Sequence, residues 1–257
     1  MGLGGTMSDF EERISRFNDM IAKSKYIVFF GGAGVSTESG IPDFRSKNGL
    51  YNTLDVKFEK YNPEYLLSRQ CLNEKPNVFF EFYRQKMNCT GYQPNITHFK
   101  LREMEEKNKL AAIITQNIDG LHQMAGSEVV YEIHGSTLRN YCKKCRRQLP
   151  ANFIFENEDS IPKCPDCGGR VRPDVVLYGE PLPYEAWNNA SNAIAEADLI
   201  IVGGTSLTVY PAANLIPTWK NAMANLVIIN REETEFDKLA NLVFHENLSQ
   251  VFERIEL

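Results

Sequence analysis

Tyr26-Ile27-Val28-Phe29-Phe30 runs directly into Gly31-Gly32-Ala33-Gly34-Val35-Ser36, and this junction decides the fold. Five β-branched or aromatic residues without polar alternation suit a strand buried on both faces, as in a parallel sheet covered by helices. Glycines at its end carry no Cβ and permit close backbone approach where anions favour a helix N-terminus. Taken alone, Gly32-x-Gly34 is also what a tight strand-to-helix turn would show. Thr37 stands where a dehydrogenase fingerprint has its third Gly or Ala, and Pro42 cuts short any helix there. An ordinary hydride-transfer Rossmann enzyme is disfavoured.

Similar apolar runs recur at residues 111–115, 129–133, 199–202 and 226–229, and helical patterns occupy 8–23, 95–107, 184–197 and 211–224. Strands alternating with helices predict an α/β fold, a doubly wound parallel sheet of Rossmann-like type. Two stretches break the rhythm: a largely helical one from about 46 to 92 and a Cys-bearing one from 139 to 172. Both read as insertions forming a smaller lobe. The expected division is a large domain of 8–45, 93–137 and 174–257, with 46–92 and 138–173 as the small lobe. Ligands bind beyond the carboxyl ends of such strands. Four loops follow them: the Gly-rich one, Thr115-Gln116-Asn117-Ile118-Asp119, Gly203-Gly204-Thr205-Ser206 and Asn230-Arg231-Glu232. They predict a crevice long enough for a dinucleotide.

The 257 residues suit one large domain with an insertion, and their 43% hydrophobic and 24% charged content is ordinary. No apolar run approaches the ~20 residues of a membrane span. A net charge of −5 gives no global basic footprint, so direct nucleic-acid binding is not expected. Residues 139–172 are locally +4. The start Met1-Gly2-Leu3-Gly4-Gly5-Thr6 fits the loose myristoylation pattern. Met7-Ser8-Asp9 reads instead as a second start after a flexible leader, and acylation is not expected. No secretory signal is visible, so the chain reads as cytoplasmic.

Cys142-x-x-Cys145 and Cys164-x-x-Cys167 are separated by 18 residues, the spacing of a four-cysteine zinc site. Redox dithiols are the alternative, against which Gly168-Gly169 favours a knuckle turn. Four thiolates leave no open position, so the zinc is expected to be structural. The basic excess either offsets the charge of that centre or forms a solvated face. Cys71 and Cys89 read as packed thiols. His134 follows a strand and joins Asn117 and Asp119 at the crevice, which favours a general base over a core imidazole. His98 and His245 take the structural reading, and His122 fits either.

At this point the ordered motifs resemble the sirtuin family. Gly32-Ala33-Gly34-Val35-Ser36, Ser39-Gly40-Ile41-Pro42-Asp43-Phe44-Arg45, Thr115-Gln116-Asn117-Ile118-Asp119, His134-Gly135, both Cys pairs, Gly204-Thr205-Ser206-Leu207 and Ile229-Asn230 occur in sirtuin order. The likeness runs from about Ser8 to the end and implies an NAD-dependent protein lysine deacetylase. In that chemistry the acyl oxygen attacks C1′ of the nicotinamide ribose, and nicotinamide, lysine and O-acetyl-ADP-ribose result. The resemblance gives His134 the general-base role and Asn117 the orientation of ribose and water. Ile118 and Asp119 would hold the carboxamide, Phe44 would shield C1′ and Arg45 would neutralise phosphate. Gly32, Ala33, Gly34, Thr37, Gln116, Gly204, Thr205, Ser206 and Asn230 would line the cofactor, with Asn247 and Leu248 at the adenine end. Val176, Tyr178, Gly179 and Glu180 resemble the strand that pairs with an acetylated peptide, and Val209 would face it. Tyr178 replaces the more usual Phe, and Gly31 stands where Thr is common.

Two other classes remain open: a protein ADP-ribosyltransferase using the same NAD site, and a non-catalytic NAD sensor. Within the deacylases, succinyl-lysine enzymes carry Tyr-x-x-Arg, whereas Tyr83-Arg84-Gln85-Lys86 ends in Lys. A point charge without the bidentate fork is a poor carboxylate partner, so acetyl-lysine is the expected substrate. Phe44 and Val176 would line its apolar tunnel.

Overall fold

The computed structural model describes residues 8–217 and 224–257. The myristoylation pattern and second start, at residues 1–7, lie outside them. The strands are β1 (Ile27–Gly31), β2 (Leu110–Thr115), β3 (Val130–Glu132), β4 (Gly135–Cys142), β5 (Gln148–Pro150), β6 (Val171–Val175), β7 (Leu199–Gly203), β8 (Asn225–Ile229) and β9 (Leu242–Phe244). The helices are α1 (Asp9–Lys23), α2 (Pro63–Leu66), α3 (Arg69–Glu74), α4 (Pro76–Lys86), α5 (Ile96–Glu106), α6 (Leu121–Met124), α7 (Asn152–Phe155), α8 (Tyr184–Glu196) and α9 (Leu248–Phe252).

Six strands form one sheet in the order β3-β2-β1-β7-β8-β9, and every pairing in it is parallel. The strand order reverses between β1 and β7, which is the switch point of a doubly wound sheet. Alternate residues of each strand serve opposite cores. Ile27, Phe29, Ile113, Ile201 and Val227 pack against α1, α5 and α9. Val28, Phe30, Ile114, Val202 and Ile228 pack against α8 and the segment after β7. Burial on both faces is why these strands read as unbroken apolar runs. Outside them α1 is amphipathic: Ile14, Phe17 and Ile21 face the sheet, and the Ser8 side chain caps Glu11 N–H at 3.3 Å. Asp9, Glu11 and Glu12 in its first turn and Lys23 in its last complement the helix dipole.

A second sheet, β5-β4-β6, is antiparallel and belongs to the lobe that carries the cysteines. That lobe has a core of its own, in which Phe58, Phe79, Phe80, Phe82 and Tyr83 meet Cys142, Leu149, Ile154 and Val171.

Two expectations need correction, and one strand has no sequence signal. The helical stretch 46–92 begins as turns, and helix starts only at Pro63 after the Asn62 cap. Over 211–217, the described part of the helix expected at 211–224, the chain forms a 3-10 turn, Ala212–Leu215; in an α-helix Pro217 would lack its N–H donor and its ring would clash with the Ala213 carbonyl. Residues 218–223 of that segment lie outside the described residues. The edge strand β9 was not foreseen, since its three residues are too few for a periodic signal.

Candidate active site and zinc site

The loop after β1 does not open a long helix. It folds into two 3-10 turns, Ala33–Val35 and Thr37–Ser39, and Gly40 leaves the second at φ +93°. Its glycines serve loop-to-loop packing. Gly34 N–H donates to Gly204 O at 2.8 Å, and a Cβ on Gly34 would lie 2.7 Å from Gly204 Cα. Gly204 itself sits at φ +61°, in the left-handed region where a side chain is strained. The loops after β1 and β7 are thus zipped together at the switch point.

The loop after β2 joins them through side chains. Gln116 Nε2 donates to Thr205 Oγ1 at 3.1 Å. Asn117 Nδ2 donates to Ser36 Oγ at 3.1 Å, and Ser36 Oγ donates to Asp119 Oδ2 at 2.7 Å. Asp119 Oδ1 accepts from Leu121 N–H at 2.9 Å. Asp119 is 6% exposed, and burial raises its pKa above the ordinary carboxylate value despite these donors. Ser36 is therefore a hub that no single-residue signal in the sequence marks.

His134 follows β3, and its Nδ1 lies 3.0 Å from Gln116 O. A carbonyl only accepts, so the bond requires the proton on Nδ1 and leaves the lone pair on Nε2. Burial lowers the imidazole pKa below its usual value, so the ring is neutral at pH 7. A neutral imidazole with an anchored Nδ1–H is the form a general base needs.

Ala33, Thr37 and Ser206 sit on the same loops, with the Thr37 hydroxyl donating to Gly34 O and Ser206 Oγ 2.9 Å from Thr208 Oγ1. Ile118 is in the small-lobe core, and its carbonyl accepts from Thr137. Asn230 directly follows β8, and its side chain donates to Glu232 O at 2.8 Å. Asn247 caps α9 without using its side chain, whereas the Leu248 side chain lies in the core below Gly203. Phe44 meets Tyr51 edge-on at 5.5 Å. Arg45 points toward the small lobe, reaching Tyr178 Oη at 3.2 Å and Glu64 Oε1 at 3.4 Å.

After β6, Val176 N–H donates to His134 O at 2.9 Å, which ties this segment to the candidate base. Tyr178 pairs its backbone with Leu67 and Arg69, and its hydroxyl lies 3.1 Å from Tyr51 Oη. Burial and the neighbouring Tyr178 raise the Tyr51 pKa. Glu180 is occupied by Arg172 and by Leu177 N–H at 3.0 Å, so its carboxylate shapes the turn that Gly179 makes at φ +85°. Val209 is half-buried and its carbonyl accepts from Ala213 N–H.

Cys142, Cys145, Cys164 and Cys167 bring their four sulfurs within 4.8 Å of one another, the one such ligand cluster found among the described residues. Cys142 and Cys167 Sγ are 3.5 Å apart, and Cys145 and Cys164 Sγ 3.7 Å. A tetrahedron with Zn–S near 2.3 Å has edges of about 3.8 Å, so the set fits zinc. N–H groups of Cys145 and Lys144 point at Cys142 Sγ and lower its pKa to about 6. The Cys164 turn closes through Gly168 N–H on Cys164 O at 2.9 Å, and a Cβ on Gly169 would meet Cys142 Sγ at 2.9 Å.

A doubly wound sheet whose loops after β1, β2 and β7 are bonded together at its switch point, an anchored neutral imidazole beside them and a four-cysteine lobe define an α/β nucleotide-site protein with a zinc module. The Sir2 family matches residues 32–211, and the chain belongs to that family. It is 50% identical over 244 residues to an NAD-dependent protein deacetylase of Clostridium acetobutylicum, covering 95% of this chain and 98% of that one. A protein of the same description from Clostridium perfringens is 49% identical over 246 residues, 95% of this chain and 99% of its own. Among solved structures, a Sir2–p53 peptide–NAD+ complex superposes with TM-score 0.83 at 36% identity, covering 94% of this chain and 96% of that chain. Sir2 bound to acetylated peptide gives 0.84 at 34% identity with the same coverage.

Proposed function

We propose that this chain is an NAD-dependent protein lysine deacetylase that forms nicotinamide, deacetylated lysine and O-acetyl-ADP-ribose. The observation that carries the reading is His134, neutral, fixed through Nδ1 on Gln116 O, and basic at Nε2. NAD, when bound, supplies an electrophilic ribose C1′ and nicotinamide as the leaving group. His134 Nε2 takes a proton from a ribose hydroxyl, and the Gln116 carbonyl holds the ring as it becomes charged. Asn117, fixed by Ser36, orients the ribose and a water. Ile118 and Asp119 hold the carboxamide, Phe44 excludes solvent and Arg45 offsets phosphate charge. Gly32, Ala33, Gly34, Thr37, Gln116, Gly204, Thr205, Ser206 and Asn230 line the cofactor, with Asn247 and Leu248 toward the adenine.

The acetylated peptide adds beside Val176, Tyr178, Gly179 and Glu180, opposite Val209. In this reading residues 8–45, 93–137 and 174–257 are the cofactor-binding body, and 46–92 with 138–173 the small lobe. Zinc is structural, because four thiolates leave no position for a reacting ligand. No helix among the described residues is long and apolar enough to cross a membrane. A site of four free thiols suits a reducing compartment, hence the cytoplasm, and the net charge of −5 argues against direct nucleic-acid binding. Incubation with an acetyl-lysine peptide and NAD, followed by mass spectrometry, tests the reading. Deacetylated peptide with O-acetyl-ADP-ribose is the expected outcome. ADP-ribosylated protein without that product would assign the site to transfer instead.

A further inference from the structure

Asn95 lies outside the loops that line the crevice, yet its side chain works at both ends. Its Oδ1 accepts from Thr97 N–H at 3.0 Å and so caps α5. Its Nδ2 donates to Val35 O at 2.8 Å and to Ser39 Oγ at 2.9 Å. Those acceptors bracket Ser36, the hub that receives Asn117 and binds Asp119. Ser36 O in turn accepts from Ser39 N–H at 3.0 Å and Ile41 N–H at 3.2 Å, so the bracket closes on itself. Asn95 is itself fixed, because its N–H donates to His98 Nδ1 at 3.2 Å in a capping box. His98 is fully buried, with its ring 4.7 Å from that of His122 on α6, the helix that follows Asp119. The N-terminus of α5 therefore touches both halves of the Ser36 network.

We infer that Asn95 is a positioning residue for the cofactor loop, latching residues 35–39 to the N-terminus of α5 so that Ser36 meets Asn117 and Asp119. This rests on the proposed NAD site. A cap alone would not need the amide nitrogen: Asp caps as well as Asn, using the same oxygen. Asn95→Asp keeps that oxygen and removes both donors, setting a carboxylate against the Val35 carbonyl.

The test measures KM for NAD, kcat, thermal midpoint and amide hydrogen exchange at Ser36, Ser39 and Ile41 in wild type, Asn95→Asp and Ser39→Ala. Loss of two hydrogen bonds predicts a roughly tenfold rise in KM for NAD in Asn95→Asp with kcat little changed. Faster exchange confined to the loop and a midpoint near wild type accompany it. Ser39→Ala removes one acceptor, leaves the cap intact and predicts a smaller rise, which serves if Asn95→Asp does not fold. Wild-type KM and exchange in the variants would overturn the latch and leave Asn95 a helix cap. A wild type that leaves NAD and acetyl-peptide untouched would overturn the site assignment and the latch with it.

Discussion

At the residue scale the proposed base is His134, its ring anchored on Gln116 O. Removing a general base costs roughly 10²–10⁴-fold in turnover while cofactor contacts on the loops persist. His134→Ala should therefore bind NAD, by calorimetry, and lose most of its kcat. Because burial lowers the imidazole pKa, the basic form persists below pH 6.5, the group's ordinary value. Activity should thus be flat through neutrality, with an acid limb below 6.5; a limb above that value would refute the assignment. The acyl preference is also a residue matter. Tyr83 is stacked between Phe79 at 5.8 Å and Phe155 at 5.5 Å, with its hydroxyl buried and unpartnered. Lys86 already donates to Thr53 O at 3.3 Å and faces Asp55 at 3.6 Å. Lys86 is thus already engaged, and the neutral Tyr83 hydroxyl alone does not balance the charge of a distal carboxylate, whose burial without a cation costs several kcal/mol. On one peptide, kcat/KM for acetyl-lysine should exceed that for succinyl-lysine by at least about tenfold. The placement of His134 and Asn117 around the loop after β2 and the cysteine cluster were legible because loop position and spacing mark them. Ser36 and the occupied carboxylate of Glu180 were not, since their roles depend on partners brought together only by folding.

Elements differ in how openly their sequence announces them. The buried strands β1, β2, β7 and β8 declare themselves by composition, whereas β9 is short and the described part of the segment after β7 holds only the 3-10 turn Ala212–Leu215. Glycine in the loop after β1 suggests room for a ligand, but at Gly34 the room is taken by the Gly204 backbone. Gly34→Ala should therefore uncouple the two loops, costing stability as well as NAD affinity, because the obstructing atoms are backbone. Titration calorimetry with a melting curve separates the two losses. The interface of α5 and α6 carries a further consequence. His98 and His122 are buried together, and burial pulls the pKa of His98 to about 4 and that of His122 well below its usual value. The unfolded chain takes up these protons near pH 6.5, while the folded one resists them. Stability is therefore full above about 6.5 and declines as pH falls toward 4, by about 3 kcal/mol for His98 alone. Denaturant titrations between pH 7 and 4 should show that fall, and His98→Gln should flatten it. A stability that stays level between pH 7 and 4 would mean that the folded imidazoles take up protons as readily as the unfolded ones.

Across the whole molecule, two packed bodies meet at the active-site loops, and zinc belongs to one of them. Cys142 and Cys164 sit in the small-lobe core rather than against the six-stranded sheet. Cys164→Ser, or a chelator, should unfold that lobe and abolish activity. A loss of ~3–5 kcal/mol lowers Tm by roughly 10 °C in a chain of this size. Active protein free of zinc by metal analysis would refute the structural role. The doubly wound plan was readable at this scale because its alternation is long and regular. The antiparallel β5-β4-β6 sheet was not, since knuckle turns and short strands carry little pattern. The small lobe is assembled from two separated stretches of chain, and this bears on the order of synthesis. Phe58, Phe79, Phe80, Phe82 and Tyr83 leave the ribosome well before Cys142, Leu149 and Val171, the residues that cover them. At 5–20 residues per second that interval lasts on the order of ten seconds. During it the nascent chain carries an aromatic surface whose covering residues have not yet been made.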